Sequence, residues 1–244
     1  MYLEDFRAVL TKKWLSSLFR VRDVEKEHPR AKEYLHRLSK RGVVKRVGWG
    51  WYYIPKEYRD PWEFLAKDRR FKVVIKQTAA SIWNYDFIHR DIYRLAVEDR
   101  SYKRALEGFA RQIGWNFEIE CYSKVPYEYV RVDGLFVEAP ESCIVSCMSE
   151  WAFTDAFAIL YFRKDEVDFE KLKRMARWRR ISRTDIRVWT AVKYGCSLLN
   201  ERLGKRVFRV RSTDLKHDDV RELVEEAVEK VIEFAQCHRH DEAP

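Results

Sequence analysis

At 244 residues with a 46% hydrophobic fraction, the chain is long enough for one large domain or two modest ones with a sizeable core. It has no run of about 18 apolar residues, and Glu4, Asp5 and Arg7 interrupt its first stretch, so neither a membrane span nor a signal peptide is expected and the reading is a cytoplasmic protein. The net charge of +9 is uneven: residues 1–60 hold 15 Lys/Arg against 8 Asp/Glu and residues 171–187 hold 8 against 1, while residues 212–244 hold 4 against 10, which points the first two segments at a polyanion and excludes the tail from that attraction.

Residues 3–18 read as a first helix, with Leu3, Phe6, Leu10, Trp14 and Leu18 near a helical period. VRDVEKEH (21–28) is a short second helix. Pro29 opens a third, 29–41, whose Ala31, Tyr34, Leu35 and Leu38 share one face, and Gly42 suits its end. GVVKRVGWGWYYIP follows. Its two β-branched and aromatic runs flank Gly48, Trp49 and Gly50, which predicts a hairpin with Trp49 at or near the tip, ended by Pro55. Three helices and a hairpin in this order describe a winged helix-turn-helix, with the hairpin as the wing.

A polar connector with a short helix (56–70) places a domain boundary near residue 60. Beyond it, 77–84 reads as helix, 91–99 as strand, 101–114 as helix and 115–122 as strand. Residues 129–137 read as a hairpin turning at Asp133-Gly134. Helices follow at 140–151, 154–163, 168–180 and 185–200, then a strand RVFRV (206–210) and a final helix, 218–237. Its apolar stripe is Val220, Val224, Ala227 and Val231 with Leu223 and Phe234. The expected fold is α+β: a winged helix-turn-helix domain over 1–60 and a larger mixed α+β domain over 61–244 with a helical C-terminal half.

The face of the third helix opposite its core residues carries Arg30, Lys32, Glu33, His36, Arg37, Lys40 and Arg41, side chains able to bond phosphates or read base edges in a major groove. The wing adds Lys45, Arg46 and Trp49. The alternative is protein contact with these charges solvated. A second basic segment, 171–187, exposes Lys173, Arg174, Arg177, Arg180 and Arg183. It reads as an extension of a nucleic-acid footprint, a site for an acidic partner, or a solvated amphipathic helix.

Carboxylates for metal-dependent cleavage would be Glu98, Asp99, Glu118, Glu120 and Asp133. A restriction-enzyme-type Glu-x-Lys is missing, because Glu120 stands at the Lys position and Lys124 comes too late. Cys237, His238 and His240, with His217, match no closed zinc site, so no metal and no cofactor are expected. The five cysteines are odd in number and scattered, against a disulfide framework, and Cys143 and Cys147, four apart on a helix, read as small buried apolar groups. No phosphate-cradling or nucleophile motif occurs, so the chain is not read as an enzyme. Six Asn and Gln beside 36% charged residues fit an archaeal or thermophilic source.

YLHRLSKRGVVKRVGWGWYYIP resembles the N-terminal winged helix of AbiEi-type antitoxins of type IV toxin–antitoxin systems, with Tyr34, Leu35, Leu38, Gly42, Arg46, Gly50 and Tyr52 at matching places. VEAPESCIVSCMSEW (137–151) is similar to the second domain of that family, though Ala139 and Glu141 do not keep its spacing. The resemblance implies a repressor of its own operon that binds double-stranded DNA and partners a nucleotidyltransferase-like toxin. The expected function is therefore a DNA-binding transcriptional regulator of antitoxin type. The alternatives are a metal-dependent nuclease, or other nucleic-acid-processing enzyme, with a winged-helix targeting domain, and a protein-binding adaptor.

Overall fold

The computed structural model describes residues 2–58, 60–68, 71–85, 91–211 and 213–239. They make a mixed α+β protein of two sheets and many helices, in two compact units. The first unit is Met1–Ile75, Asp91–Pro126 and Val130–Val137; the second is Lys76–Arg90, Tyr127–Tyr129 and Glu138–Pro244. The expected boundary near residue 60 falls inside the first unit.

In the first unit, α1 (Leu3–Trp14) carries Glu4 and Asp5 in its first turn and Lys12 and Lys13 in its last, each sign where the helix dipole favours it. It is shorter than the apolar spacing predicts. The chain turns at Ser17, whose N–H bonds the Trp14 carbonyl, and Phe19–Arg20 become a short strand, β1. Then come α2 (Val21–Glu25), α3 (Ala31–Lys40), β2 (Lys45–Gly48) and β3 (Trp51–Tyr53). Strand β3 is central in an antiparallel sheet of order β1-β3-β2, with Phe19 opposite Tyr52 and Arg46 opposite the same residue on the other side. The end of α3 shows why Gly42 is there. Gly42, at φ +72°, donates its N–H to Ser39, and Val43 donates to Leu38, the paired bonds that close a helix through a left-handed residue. Phe6, Leu10, Trp14, Phe19, Val24, Ala31, Tyr34, Leu35, Leu38, Val44 and Ile54 form the core under these elements.

After α4 (Pro61–Lys67), capped by Asp60, a second sheet is built from β4 (Val73–Ile75), β5 (Ile92–Val97), β6 (Asn116–Cys121), β7 (Tyr129–Val132) and β8 (Leu135–Glu138). Its order is β6-β5-β4-β8-β7. Strands β5 and β6 are parallel and joined by α6 (Arg100–Ile113), while β4 runs parallel to β8 and antiparallel to β5. Asp133 and Gly134 both take positive φ in the β7–β8 turn, as the Asp-Gly dipeptide predicts. Buried Asp68 accepts from the Leu18 N–H at 3.2 Å and the Tyr102 hydroxyl at 3.1 Å, tying the α1–β1 connection to α6.

The second unit is mainly helical: α5 (Ala80–Trp83), α7 (Pro140–Ser149), α8 (Phe153–Phe162), α9 (Phe169–Ala176), α10 (Val188–Arg202) and α11 (Asp218–Arg239). Helix α8 is buried along most of its length, and its Phe157 ring lies against Gly195 of α10, where no larger residue fits. RVFRV (206–210) is not a strand, because the Asn200 side chain takes the backbone groups that a ladder would use. Its Oδ1 accepts from the Val207 and Phe208 N–H groups and its Nδ2 donates to the Phe208 carbonyl. In the stripe of α11, Leu223 is exposed, whereas Val228 and Ile232 are buried. Cys143 and Cys147 are buried free thiols, as read from their spacing.

Glu138 is fully buried. Its Oε1 accepts from Ser142 at 2.7 Å and Ser146 at 2.5 Å, and its carbonyl accepts from Trp83 Nε1. Desolvation pushes its carboxyl from 4.5 up to about 7, against the pull of the two hydroxyls and the Lys76 charge. The folded state therefore holds this proton more tightly than the unfolded chain does. The stabilisation is complete below about pH 4.5 and is lost as pH rises towards 7, an effect of about 3 kcal/mol. Glu138→Gln is expected to flatten that slope. Urea midpoints at pH 5 and pH 8 check it, and an equal pH response in parent and variant would refute it.

Candidate nucleic-acid interface

Helix α3 puts Ala31, Tyr34, Leu35 and Leu38 into the core and leaves Lys32, Glu33, His36, Arg37 and Lys40 on its exposed side, with Arg30 at its N-cap and Arg41 at its C-cap. At 3.6 residues per turn this exposed side is broad, and the structure divides it. Arg30, Lys32, Glu33 and His36 line a groove of about 700 Å³ whose other wall includes Arg46 and Tyr52 of the hairpin and Val21 of α2. Arg37, Lys40 and Arg41 lie outside that lining. Arg37 pairs with Glu33 at 2.5 Å, and Arg41 reaches Glu4 of α1 at 3.5 Å. Among the described residues no carboxylate pairs with Lys32, Lys40 or Lys45, so these ammonium groups face water.

The hairpin is held firmly for a surface element. Gly50 adopts φ +70°, and its carbonyl accepts from the Val21 N–H at 3.0 Å, fastening the turn to the start of α2. Trp49 stands at the tip, 94% exposed. Behind the strands lies α6. Trp51 Nε1 donates to Ser101 at 2.8 Å, Gln112 Nε2 donates to the Arg46 carbonyl at 2.8 Å, and Gly108 lies directly under the Val47 carbonyl. Val47 sits at a β-bulge, which turns its side chain into the interior while Lys45 and Arg46 stay exposed. Ser101, Gly108 and Gln112 escaped the sequence reading. A glycine inside an otherwise helical run, costing about 1 kcal/mol relative to alanine, was the available signal.

The acidic candidates are engaged elsewhere. Glu98 pairs with Lys72 at 2.6 Å and accepts from the Val125 N–H, and the Lys72 hydrogen bond holds its carboxyl below the usual range. Asp99 caps α6 by accepting from Tyr102 N–H at 2.7 Å. Glu118 pairs with Arg94 across the β5–β6 register at 3.0 Å, Glu120 accepts from the Tyr122 hydroxyl, and Asp133 forms a turn. Among the described residues no three His, Cys, Asp or Glu side chains group as metal ligands. Cys237 is exposed, His240 lies outside the described residues, and so does the side chain of His238.

The second basic segment departs from its expected form. Helix α9 stops at Ala176 instead of running to 180, and residues 179–188 fold into a small hairpin. Ile181 donates to the Ile186 carbonyl, Val188 donates to that of Arg179, and Arg180 bridges Arg187. Buried Ile181 pins this hairpin, and Arg183 adopts φ +63° in its turn. Lys173, Arg174, Arg177, Arg180 and Arg183 are all exposed.

Compared with protein-family models and with curated proteins, the chain matches none. Among the described residues no helix is long and apolar enough to cross a membrane.

Proposed function

We propose that residues 2–55 are a winged helix-turn-helix that binds duplex DNA, and that the protein is a cytoplasmic transcriptional regulator of antitoxin type. The observation that carries the DNA reading is the groove in which Arg30, Lys32 and His36 of α3 face Arg46 of the hairpin. A recognition helix and a wing embrace a duplex from such an arrangement, the helix end meeting base edges and the wing meeting phosphates. The net excess of cations over residues 1–60 supports it, because neutralised phosphates release counterions and so contribute most of the affinity. Trp49, exposed at the tip of the hairpin, would follow the wing into a minor groove, where apolar side chains wedge between base steps. The antitoxin character, autorepression and a nucleotidyltransferase-like toxin partner rest on the resemblance of residues 34–55 and the lesser one of residues 137–151.

The test is duplex binding at two salt concentrations, using DNA from immediately upstream of the gene and a random duplex. Lys45→Ala with Arg46→Ala is expected to weaken binding to both alike and to reduce the slope of log Kd on log salt by about 1–2 units, one for each phosphate no longer neutralised. A parent-like slope would mean that the hairpin is not a phosphate clamp. No binding of the parent to any duplex would end this reading and leave a protein-binding adaptor.

A further inference from the structure

The hairpin at 179–188 belongs to the second unit and has no part in the groove described above. Its approach carries Trp178, a large indole left 67% exposed. Two guanidinium groups lie against the indole, that of Arg177 at 4.5 Å from the ring centroid and that of Arg187 at 5.5 Å. Arg187 is held there by donating to the Arg177 and Trp178 carbonyls at 3.3 and 3.4 Å. The mount is rigid as well, since Ser182 donates its N–H to the Ser149 carbonyl at 2.8 Å and accepts at its own carbonyl from Trp151 Nε1 at 3.0 Å. An indole fixed in water with cations around it is not explained by packing.

The charges are also available. Of the eight cations in 171–187, Lys171 serves the interior of the unit, bridging Glu128 at 2.8 Å and Glu141 at 3.0 Å. Lys173 pairs with Glu170 at 3.4 Å and Arg180 with Asp185 at 2.6 Å. Among the described residues no carboxylate pairs with Arg174, Arg177, Arg179, Arg183 or Arg187. The result is an unneutralised basic strip with one aromatic face in it.

We infer that this hairpin is a binding site for single-stranded nucleic acid, with Trp178 stacking on a base and the surrounding arginines following the phosphates. Charge alone would suit any polyanion; the indole decides among them. Base faces are buried inside a duplex and open in a single strand, where stacking on an aromatic side chain is the usual source of sequence-tolerant affinity. An acidic peptide would engage the arginines and draw nothing from the exposed indole, whereas a base can stack on it. This site does not depend on the duplex-binding reading of α3 and its hairpin.

The experiment is a titration of a fluorescently labelled 12-nucleotide single strand with the full chain, read by anisotropy, alongside a labelled duplex and a labelled poly-glutamate peptide. Trp178→Ala is expected to weaken single-strand binding about tenfold, in line with the loss of one stacked base, and to leave duplex binding unchanged. Trp178→Phe should retain most of the affinity, and Lys45→Ala with Arg46→Ala should leave the single strand bound as in the parent. Thermal melts confirm that the variants stay folded. Parent-like single-strand binding by Trp178→Ala, or no single-strand binding by the parent, overturns the proposal. So does a loss by Trp178→Ala that is as large on poly-glutamate as on the single strand, which would assign the surface to an acidic protein.

Discussion

Gly108→Ala is expected to destabilise the protein and displace the hairpin, although alanine is the better helix former. The two effects oppose each other, and their sizes decide the sign. In an exposed helix interior the exchange would stabilise by about 1 kcal/mol. Here an added Cβ would stand 2.1 Å from the Val47 carbonyl oxygen and 3.1 Å from its carbon. Those are backbone atoms of β2, fixed by the paired residues Arg46 and Gly48 on either side of the bulge, so they cannot rotate aside as a flexible side chain would. Relief requires α6 and β2 to move apart, and overpacking of this kind costs about 1–3 kcal/mol, occasionally more. With a backbone contact this close the cost lies towards the upper end, so after the helix-propensity gain the net loss is about 1–2 kcal/mol, a fall in Tm of about 2–8 °C for a chain of this size. The same separation would strain the Gln112 bond to the Arg46 carbonyl, so duplex affinity should fall with it. A Tm at or above that of the parent would show that helix and hairpin slide freely, and that α6 does not position Lys45 and Arg46.

That glycine also marks the limit of what sequence reasoning reached. The local patterns were legible: the apolar face of α3, the left-handed closure at Gly42, the Gly-Trp-Gly reversal, the Asp-Gly turn between β7 and β8, and the helix of residues 101–114 between two strands. Each depends on neighbours a few residues away. What was not legible depends on distant partners. The strand at Phe19–Arg20 exists because β3 has a free edge there, and nothing within Leu18–Arg20 says so. RVFRV has strand composition, but the amide of Asn200 claims its backbone. Nothing local to Val47 announces that Gly108, on a helix far along the chain, is seated beneath it. The candidate site follows the same rule. Its residues on α3 and the hairpin were recognisable as an exposed basic set, yet the separation of Lys32 and His36, lining the groove, from Arg37 and Arg41, paired with Glu33 and Glu4, needed the structure.

The separation makes the role of Arg37 the sharpest question about the proposed recognition helix. A free Arg37 gripping a guanine edge would be worth about 1–3 kcal/mol of discrimination. Its ion pair with Glu33, with both side chains about half exposed, opposes that by well under 1 kcal/mol, so the pair can open when DNA arrives. There is a second possibility with the same raw outcome. Removing Arg37 leaves Glu33 as an unmasked anion in the groove lining, which repels phosphates whatever the sequence. A double-mutant cycle tells these apart. The expected result is that Arg37→Ala costs about 5- to 150-fold on a site selected from a random pool, about 1–3 kcal/mol, and little on random duplex. Glu33→Gln added to it should restore nothing on the selected site. His36→Ala should show the same preference for the selected site, since its side chain lines the groove directly. All three variants should melt with the parent, because these positions are exposed and the core face of Leu35 and Leu38 is untouched. If instead the loss from Arg37→Ala is equal on selected and random DNA and Glu33→Gln reverses it, Arg37 serves as the shield of Glu33, and base reading falls to Lys32 and His36.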